Sequence, residues 1–557
     1  MPEPTATRAA QGDANYKDTI ESILIAFILA FIFRAFVVEA YVIPTGSMAP
    51  TLYGAHMRFK CPDCGYTFDA GVRGDRNAAG DDLNFPSDAK PDINFHCPNC
   101  GYSMDTTLQP IRFGDRILVM KYLYLFQKPV PGDVVVFKSP NEENLVPEDP
   151  EYGTNYIKRL IGVGPESIVI LDGDVYTGAY DANGPLAADG KTPAFKIQRK
   201  PAHVQDALWR VIFNNDFIPH LGVANNPWQQ PWEEESPASG WNTHGGVSST
   251  WPSGAPSRAF GFSNPAASGA IVFNSDSNPD THALTDYLVY DESEHRDKAH
   301  QDWRPLYVSD LKLSADYIRK SGDGPLRLQL SKNADLFTAE VSPGTVRLLR
   351  AKRVAPDRSA IVDETELQSA AISNPPGARP MRVELINVDY RVSVRIDGKE
   401  ILATTDAQYS PNVAELWRKE DQEDMGSGDQ GAFARPLVRI EAARQESRVD
   451  HVVLSRDIYY LSHRQISMPF WATTRKISHL GDGEYFVMGD NSFISGDARY
   501  WNTPIKLPRE HLDVESGRVP ERFMLGKAFF VYWPAGYRFS LLPLNAVPDF
   551  GEMRSIR

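Results

Sequence analysis

One stretch limits what the rest of this 557-residue chain can do. Between about Thr19 and Val38 the sequence turns apolar, and from Ile23 to Phe33 it holds no polar side chain. Roughly 20 residues at 1.5 Å per residue match the hydrocarbon thickness of a bilayer, so a helix crossing a membrane once is expected here. Arg34 and Glu39 mark its far side, where a long side chain can reach the interface. A cleavable leader is the competing reading. The run lacks a clear small-x-small cleavage site behind it and has little net positive charge before it, which favours an anchor that stays. Arg8 and Lys17 are offset by Asp13 and Asp18, so charge barely sets the orientation. No second segment reaches membrane length.

Behind that segment the composition points to β structure. The chain is too long for one ordinary core, and about two to four domains are expected. Its 42 prolines and 40 glycines favour many turns and short strands over long helices. A formal net charge of −14 argues against nucleic acid as a partner, since no basic excess exists to neutralise phosphates. Acidic clusters such as Glu233-Glu234-Glu235 read as solvated loops.

All four cysteines fall within residues 59–107, as Cys61-Pro62-Asp63-Cys64-Gly65-Tyr66 and Cys97-Pro98-Asn99-Cys100-Gly101-Tyr102. Two Cys-x-x-Cys-Gly knuckles are how a zinc ribbon presents four thiolates to one ion, with the glycine permitting the tight turn. Four sulfurs would close the coordination sphere, so the metal would be structural. A pair of disulfides is the alternative, favoured by an oxidising compartment.

Residues 177–475 carry period-2 runs: Leu326, Leu328, Leu330; Val383, Leu385; and Tyr390, Val392, Val394, Ile396 leading into the hairpin signal Asp397-Gly398. Many short strands of this kind predict an antiparallel β-sandwich. The run from Asn387 to Leu402 and the closing stretch Val449 to Leu454 resemble concanavalin-like jelly rolls. Trp209, Trp228, Trp232, Trp241 and Trp251 crowd the start of this region. They read either as core filling or as platforms that stack sugars, which would make a glycan or envelope component a partner. Gly426-Ser427-Gly428 with Gly431 reads as a mobile loop.

The chemistry lies in three separated blocks. Tyr41-Val42-Ile43-Pro44-Thr45-Gly46-Ser47-Met48-Ala49-Pro50-Thr51 follows the apolar segment and offers Ser47 as a nucleophile. A serine hydroxyl needs an adjacent base, and no Ser-His-Asp set has an obvious candidate. Tyr156-Ile157-Lys158-Arg159 offers Lys158 instead, while Lys121 and Lys138 read as solvated strand-end lysines. An ordinary lysine is neutral only to about one part in a thousand near neutral pH, so burial has to lower its pKa. The third block is Gly489-Asp490-Asn491, followed by Ser495, Asp497 and Arg499.

The order and sequence of these blocks resemble the type I signal peptidases, membrane-anchored Ser/Lys proteases. That resemblance implies Ser47 and Lys158 as catalytic residues and Thr45 with the Ser47 N–H as the oxyanion site. Ser495 would orient the lysine, and Asp490, Asp497 and Arg499 would be structural supports. Ile43, Pro44, Met48, Leu52, Tyr156 and Ile157 would line shallow pockets suited to alanine-sized side chains. Catalysis would need no cofactor, and the partners would be signal peptides of exported preproteins and the lipid bilayer. The place would be the plasma membrane, with a cytoplasmic N-terminus and the catalytic part on the outer face.

The expected fold is mainly β. A tail and transmembrane helix (1–40) precede a discontinuous catalytic core (41–58, 108–176 and 476–557), interrupted by a zinc-ribbon-like insertion (59–107) and a β-sandwich-like insertion (177–475). Two other functions compete. One is a specialised relative that processes a single envelope precursor docked on the sandwich. The other is a tethered wall-binding protein on a degenerate peptidase scaffold.

Overall fold

Short runs of β-branched and aromatic residues bounded by Gly, Pro and Asp form strands throughout the chain, for the packing and turn reasons general to such sequences. The computed structural model describes residues 10–72, 94–105, 109–140, 154–219, 228–244, 256–277, 284–295, 306–354, 360–373, 379–424, 435–462, 470–507, 512–535 and 548–557. Trp251 and the stretch Gly426-Ser427-Gly428 with Gly431 lie outside these residues. The described part is mainly β.

The helix Ala10–Phe36 comes first and exposes Ile20, Leu24, Phe27, Leu29 and Phe31. Its opening turns carry Lys17, Asp18 and Glu21, and the side chains of residues 30 and 32–36 lie outside the described set. Among the described residues no helix is long and apolar enough to cross a membrane.

An eight-stranded sheet follows, drawn from distant parts of the sequence. Its order is Val38–Val42, Arg116–Met120, Met524–Trp533, Val134–Lys138, Asn155–Val163, Glu484–Met488 and Val519–Pro520, with Arg554–Ser555 paired to Met524–Trp533. Every pairing is antiparallel. The register sets Val135 opposite Lys158 and Met488 opposite Arg159. The strand that carries the lysine therefore lies beside the strand that ends at Gly489.

A four-stranded sheet, Phe195–Ile197, Asp174–Gly178, Glu166–Leu171 and Ser478–Leu480, is buried on both faces. Strand alternation explains how. Ile168, Ile170 and Val175 pack with Leu160, Phe486 and Trp501 of the eight-stranded sheet and its flanking turns. Val169, Leu171 and Tyr176 pack into the large core beyond, with Leu313, Leu328 and Val392. The strand Asp174–Gly178 runs through the position where the second insertion was expected to begin.

The strands expected within 177–475 are present, but they do not form two separate sheets. Thirteen strands join one hydrogen-bonded sheet, in which the 19-residue strand Val438–Arg456 pairs with four others. Register shifts interrupt its pairing with Pro256–Phe273 and Leu311–Gly322, and such bulges let a long strand bend from one layer into another. Trp232 and Trp241 are buried in this core, Trp228 packs against the cysteine-rich unit, and Trp209 lies under the Lys312 ammonium. Trp232 and Trp241 fill the core, and the sugar-platform expectation is corrected at those two positions. A large indole excludes more water inside a sandwich core than on a loop.

The cysteine-rich unit has a three-stranded sheet (Thr67–Gly71, His56–Lys60, Ile111–Arg112) and the pair Phe95–His96 and Ser103–Met104. Ile170 faces the catalytic side of the doubly buried sheet, fully buried. Ile170→Ala is expected to lower unfolding free energy by about 2–5 kcal/mol, read from urea denaturation of the full chain. A loss under about 1 kcal/mol would mean that this face is not packed as described.

Candidate active site

The chain leaves Val38–Val42, pins the Ile43 N–H on the Asp115 carbonyl at 2.9 Å, and runs extended through Thr45. It then makes the single 3₁₀ turn Gly46–Met48, closed by the Ala49 N–H on the Gly46 carbonyl (2.9 Å), and continues with Leu52 N–H on Met48 O (2.9 Å). The turn presents Ser47, only 9% exposed. Its hydroxyl oxygen lies 2.7 Å from Lys158 Nζ and 3.5 Å from Thr45 Oγ1.

Lys158 is buried, with its ammonium position 5.4 Å from the centre of the Tyr156 ring. Burial pushes its pKa down from 10.5 to about 8. The carboxylates of Asp497 and Asp490 pull it the other way, and the Arg499 charge adds to the depression.

Those two carboxylates are already engaged. Asp497 takes both arms of Arg499, Nε to Oδ1 at 2.8 Å and NH2 to Oδ2 at 2.8 Å, with both side chains fully buried. Asp490 takes both arms of Arg159, at 2.7 and 2.6 Å. Burial by itself would raise each carboxyl, but its facing guanidinium overrides that and holds the pKa below the ordinary value. Bidentate pairs of this kind are the strong form of the interaction. They also anchor the turn: Arg499 reaches the Leu461 and Ser492 carbonyls and the Ser492 hydroxyl, and Arg159 reaches the Gly132 and Arg557 carbonyls.

The turn after Met488 meets the nucleophile loop directly. The Asn491 N–H donates to the Ser47 carbonyl (3.1 Å), and the Gly489 N–H donates to Asp497 Oδ2 (2.9 Å). Gly489 has no room for a side chain, since a Cβ there would sit 2.3 Å from both the Ser47 carbonyl oxygen and the Ser495 hydroxyl. Ser495 is buried, and its hydroxyl makes no hydrogen bond to Lys158; its interaction with the Asp497 carboxylate helps hold that acid's pKa down.

Of the expected pocket residues, Ile43, Met48, Leu52 and Ile157 share one apolar cluster. Pro44 is exposed. Tyr156 packs elsewhere, edge-on to Phe137 and near Trp501. Lys121 pairs with Glu39 at 3.2 Å. His56, nine residues after Ser47 in the sequence, is fully buried. Its Nδ1 meets the Gly54 carbonyl (2.7 Å) and its Nε2 lies 3.6 Å from Asp69, so both ring nitrogens face groups other than Ser47. Arg159 was readable beside Lys158, but nothing in the sequence named its partner.

The four cysteines converge. Their Sγ atoms lie within 4.8 Å of one another, with Cys61 3.6 Å from Cys100 and Cys64 3.6 Å from Cys97. Both glycines after the knuckles take positive φ, and the Gly65 and Gly101 N–H groups close turns on the Cys61 and Cys97 carbonyls.

Removing one partner of a buried ion pair strands the other charge. Arg499→Met is therefore expected to cost about 3–5 kcal/mol of stability in urea denaturation. A cost below about 1 kcal/mol would place the pair with ordinary surface bridges.

The sequence model described as "Signal peptidase, peptidase S26" matches residues 16–76, 95–212 and 394–533. Signal peptidase I of Pseudomonas aeruginosa is 52% identical over 54 residues, 9% of this chain and 17% of that one. Signal peptidase I of Pseudomonas fluorescens is 46% identical over 77 residues, 14% of this chain and 23% of that one. The thylakoidal processing peptidase 1 of Arabidopsis thaliana is 34% identical over 67 residues, 11% of this chain and 19% of that one. The chain thus spans between 17% and 23% of the length of these curated relatives. Among solved structures, carbohydrate binding module CBM66 from Bacillus subtilis is 11% identical, with 38% of this chain and 94% of that one covered. At its TM-score of 0.19 the likeness carries no argument. The family match takes in more than half of the sequence, including Ser47, Lys158 and Ser495, and the chain belongs to the signal peptidase, peptidase S26, family.

Proposed function

We propose that this chain is a membrane-anchored serine endopeptidase that removes signal peptides from exported preproteins, with Ser47 as nucleophile and Lys158 as base. The observation that carries the reading is a buried lysine amine 2.7 Å from the serine hydroxyl, while the two nearby carboxylates are devoted to arginines. A neutral amine takes the Ser47 proton as Oγ attacks the scissile carbonyl. The Ser47 N–H and the Thr45 hydroxyl hold the oxyanion. The resulting ammonium returns its proton to the leaving amine, and water, deprotonated by the same lysine, releases the acyl group. Ser495 is read as the residue that orients the amine, and its packing against Gly489, beside the Ser47 carbonyl, supports that reading.

The cluster of Ile43, Met48, Leu52 and Ile157 supports a small apolar pocket, hence cleavage after small-x-small sites. The apolar face of the N-terminal helix supports a single membrane span at the plasma membrane, with the catalytic part outside. Leu125 and Phe126, 78% and 81% exposed on a short helix of the same sheet's periphery, support contact with lipid.

We read the four cysteines as a structural zinc site held by Cys61, Cys64, Cys97 and Cys100. Four thiolates bonded to one ion at about 2.3 Å lie just under 4 Å apart in a tetrahedron, whereas a disulfide needs about 2.05 Å. The separations of 3.6 Å favour the ion. The site lends cross-linking to a small unit and has no role in peptide hydrolysis.

Cleavage of a preprotein carrying an Ala-x-Ala site by the detergent-solubilised full chain tests the first reading. Ser47→Ala and Lys158→Ala are each expected to lose on the order of 10⁴-fold or more in kcat. Equal cleavage by wild type and Ser47→Ala would end it. The base must be neutral to act, so kcat is expected to rise with pH through a midpoint near 8. A rate that falls over that interval would remove Lys158 from the role. Metal analysis of the purified chain is expected to find about one zinc per chain. Less than about half an equivalent, together with no free thiols, would favour disulfides.

A further inference from the structure

Residues 290–292 lie outside the segments that match the family, yet three side chains in a row reach three different parts of the site's surroundings. Tyr290 is buried against Gly46, the residue before the nucleophile. A Cβ on Gly46 would sit 2.4 Å from the tyrosine Cε1 and 2.6 Å from its hydroxyl oxygen. The same ring meets Gly71 of the cysteine-rich unit, where a Cβ would come within 2.8 Å, and it lies 5.9 Å from the Tyr53 ring centre. Two glycines thus make room for one tyrosine.

Asp291, 1% exposed, accepts from Asn491 Nδ2 at 2.7 Å, and the Asn491 N–H in turn donates to the Ser47 carbonyl at 3.1 Å. Glu292 accepts from the His96 N–H at 3.3 Å and lies 3.1 Å from His96 Nδ1. The turn therefore holds the loop of Ser47 from one side through Gly46 and from the other through Asn491. Its third residue fastens it to the cysteine-rich unit.

We propose that Tyr290 and Asp291 are positioning residues for the Ser47 reaction, so that the second insertion completes the geometry of the catalytic centre. The proposal rests on the peptidase reading above. An error of about 1 Å in the placement of a reacting group can cost about 10²-fold in rate, and the Asn491–Ser47 bond sets the serine against the strand that carries Lys158. Tyr290 and Asp291 are both buried, so their effect falls on turnover rather than on substrate binding.

The test uses the full chain in detergent. Asp291→Ala and Asn491→Ala are each expected to lower kcat by about 10-fold with KM within about twofold, and the double variant to be no worse than either alone. Asp291→Asn, whose Oδ1 still accepts, is expected to restore kcat to within about twofold of wild type. Tyr290→Phe keeps the ring and is expected to cleave like wild type, while Tyr290→Ala is expected to resemble Asp291→Ala. Hydrogen exchange provides a readout that does not need catalysis: the Asn491 amide is expected to exchange at least about tenfold faster in Asp291→Ala. Wild-type kcat in Asp291→Ala, multiplying losses in the double variant, or unchanged exchange at Asn491 would each overturn the proposal. A wild-type chain that exchanges as expected but cleaves no preprotein would instead remove the peptidase reading.

Discussion

The burial of the Lys158 amine beside the Ser47 hydroxyl governs the arrangement around that serine. Burial lowers the Lys158 pKa to about 8, and two carboxylates within its field oppose that. Each of those carboxylates is held by its own arginine in a two-pronged pair, and the Arg499 charge offsets part of their pull on the lysine. The arginines come from positions that also tie down the turns on which the carboxylates sit. Charge neutralisation and loop placement are therefore the same set of bonds. The depressed pKa costs stability on the order of 3 kcal/mol below pH 8, where the folded lysine is charged and buried. That cost fades as pH rises from about 8 toward 10.5, the interval in which the folded lysine is neutral while the unfolded one still holds its proton.

Placing such a lysine requires a rigid frame, and the doubly buried sheet Glu166–Leu171 with Asp174–Gly178 supplies it. Its alternating side chains fill two cores at once, one under the catalytic strands and one inside the thirteen-stranded sheet. Polar contacts reinforce the join. Lys332 reaches Asp174 at 3.0 Å and Asp310 at 2.5 Å, and Lys200 pairs with Asp389 and with Asp457 at 2.9 Å, all of these acids being buried. The acids cluster closely enough to resemble a cation site, but the two ammonium groups already occupy it. Such a network contributes less to net stability than to fixing one arrangement of the two parts.

Much of this was legible in the residues. Ser47, Lys158 and Ser495 were legible because each sits in a short block that resembles the corresponding block of the type I signal peptidases, and Asp497 and Arg499 stand two apart in the last of those blocks. The cysteines were legible for a local reason, two knuckles with a glycine after each. The period-2 runs gave the strands of the large region, but not their union into one sheet, since a bulge in a 19-residue strand leaves no period of its own. The tryptophans were ambiguous because composition is blind to depth, and burial decided for the core at Trp232 and Trp241.

The sequence by itself therefore determined the chemistry available: a serine after a glycine, lysines within and beside strand-like runs, four cysteines at knuckle spacing and an apolar run within the first 40 residues. Those are local properties, written in spacings of a few residues. Only the tertiary structure decided which groups meet. It brought Arg159 to Asp490, 331 positions away, and Asn491 to Asp291, 200 positions away. It also laid Tyr290 on Gly46. Contacts of that range depend on how sheets stack and where strands bend, which are outcomes of packing the whole chain and leave no mark in the order of neighbouring residues.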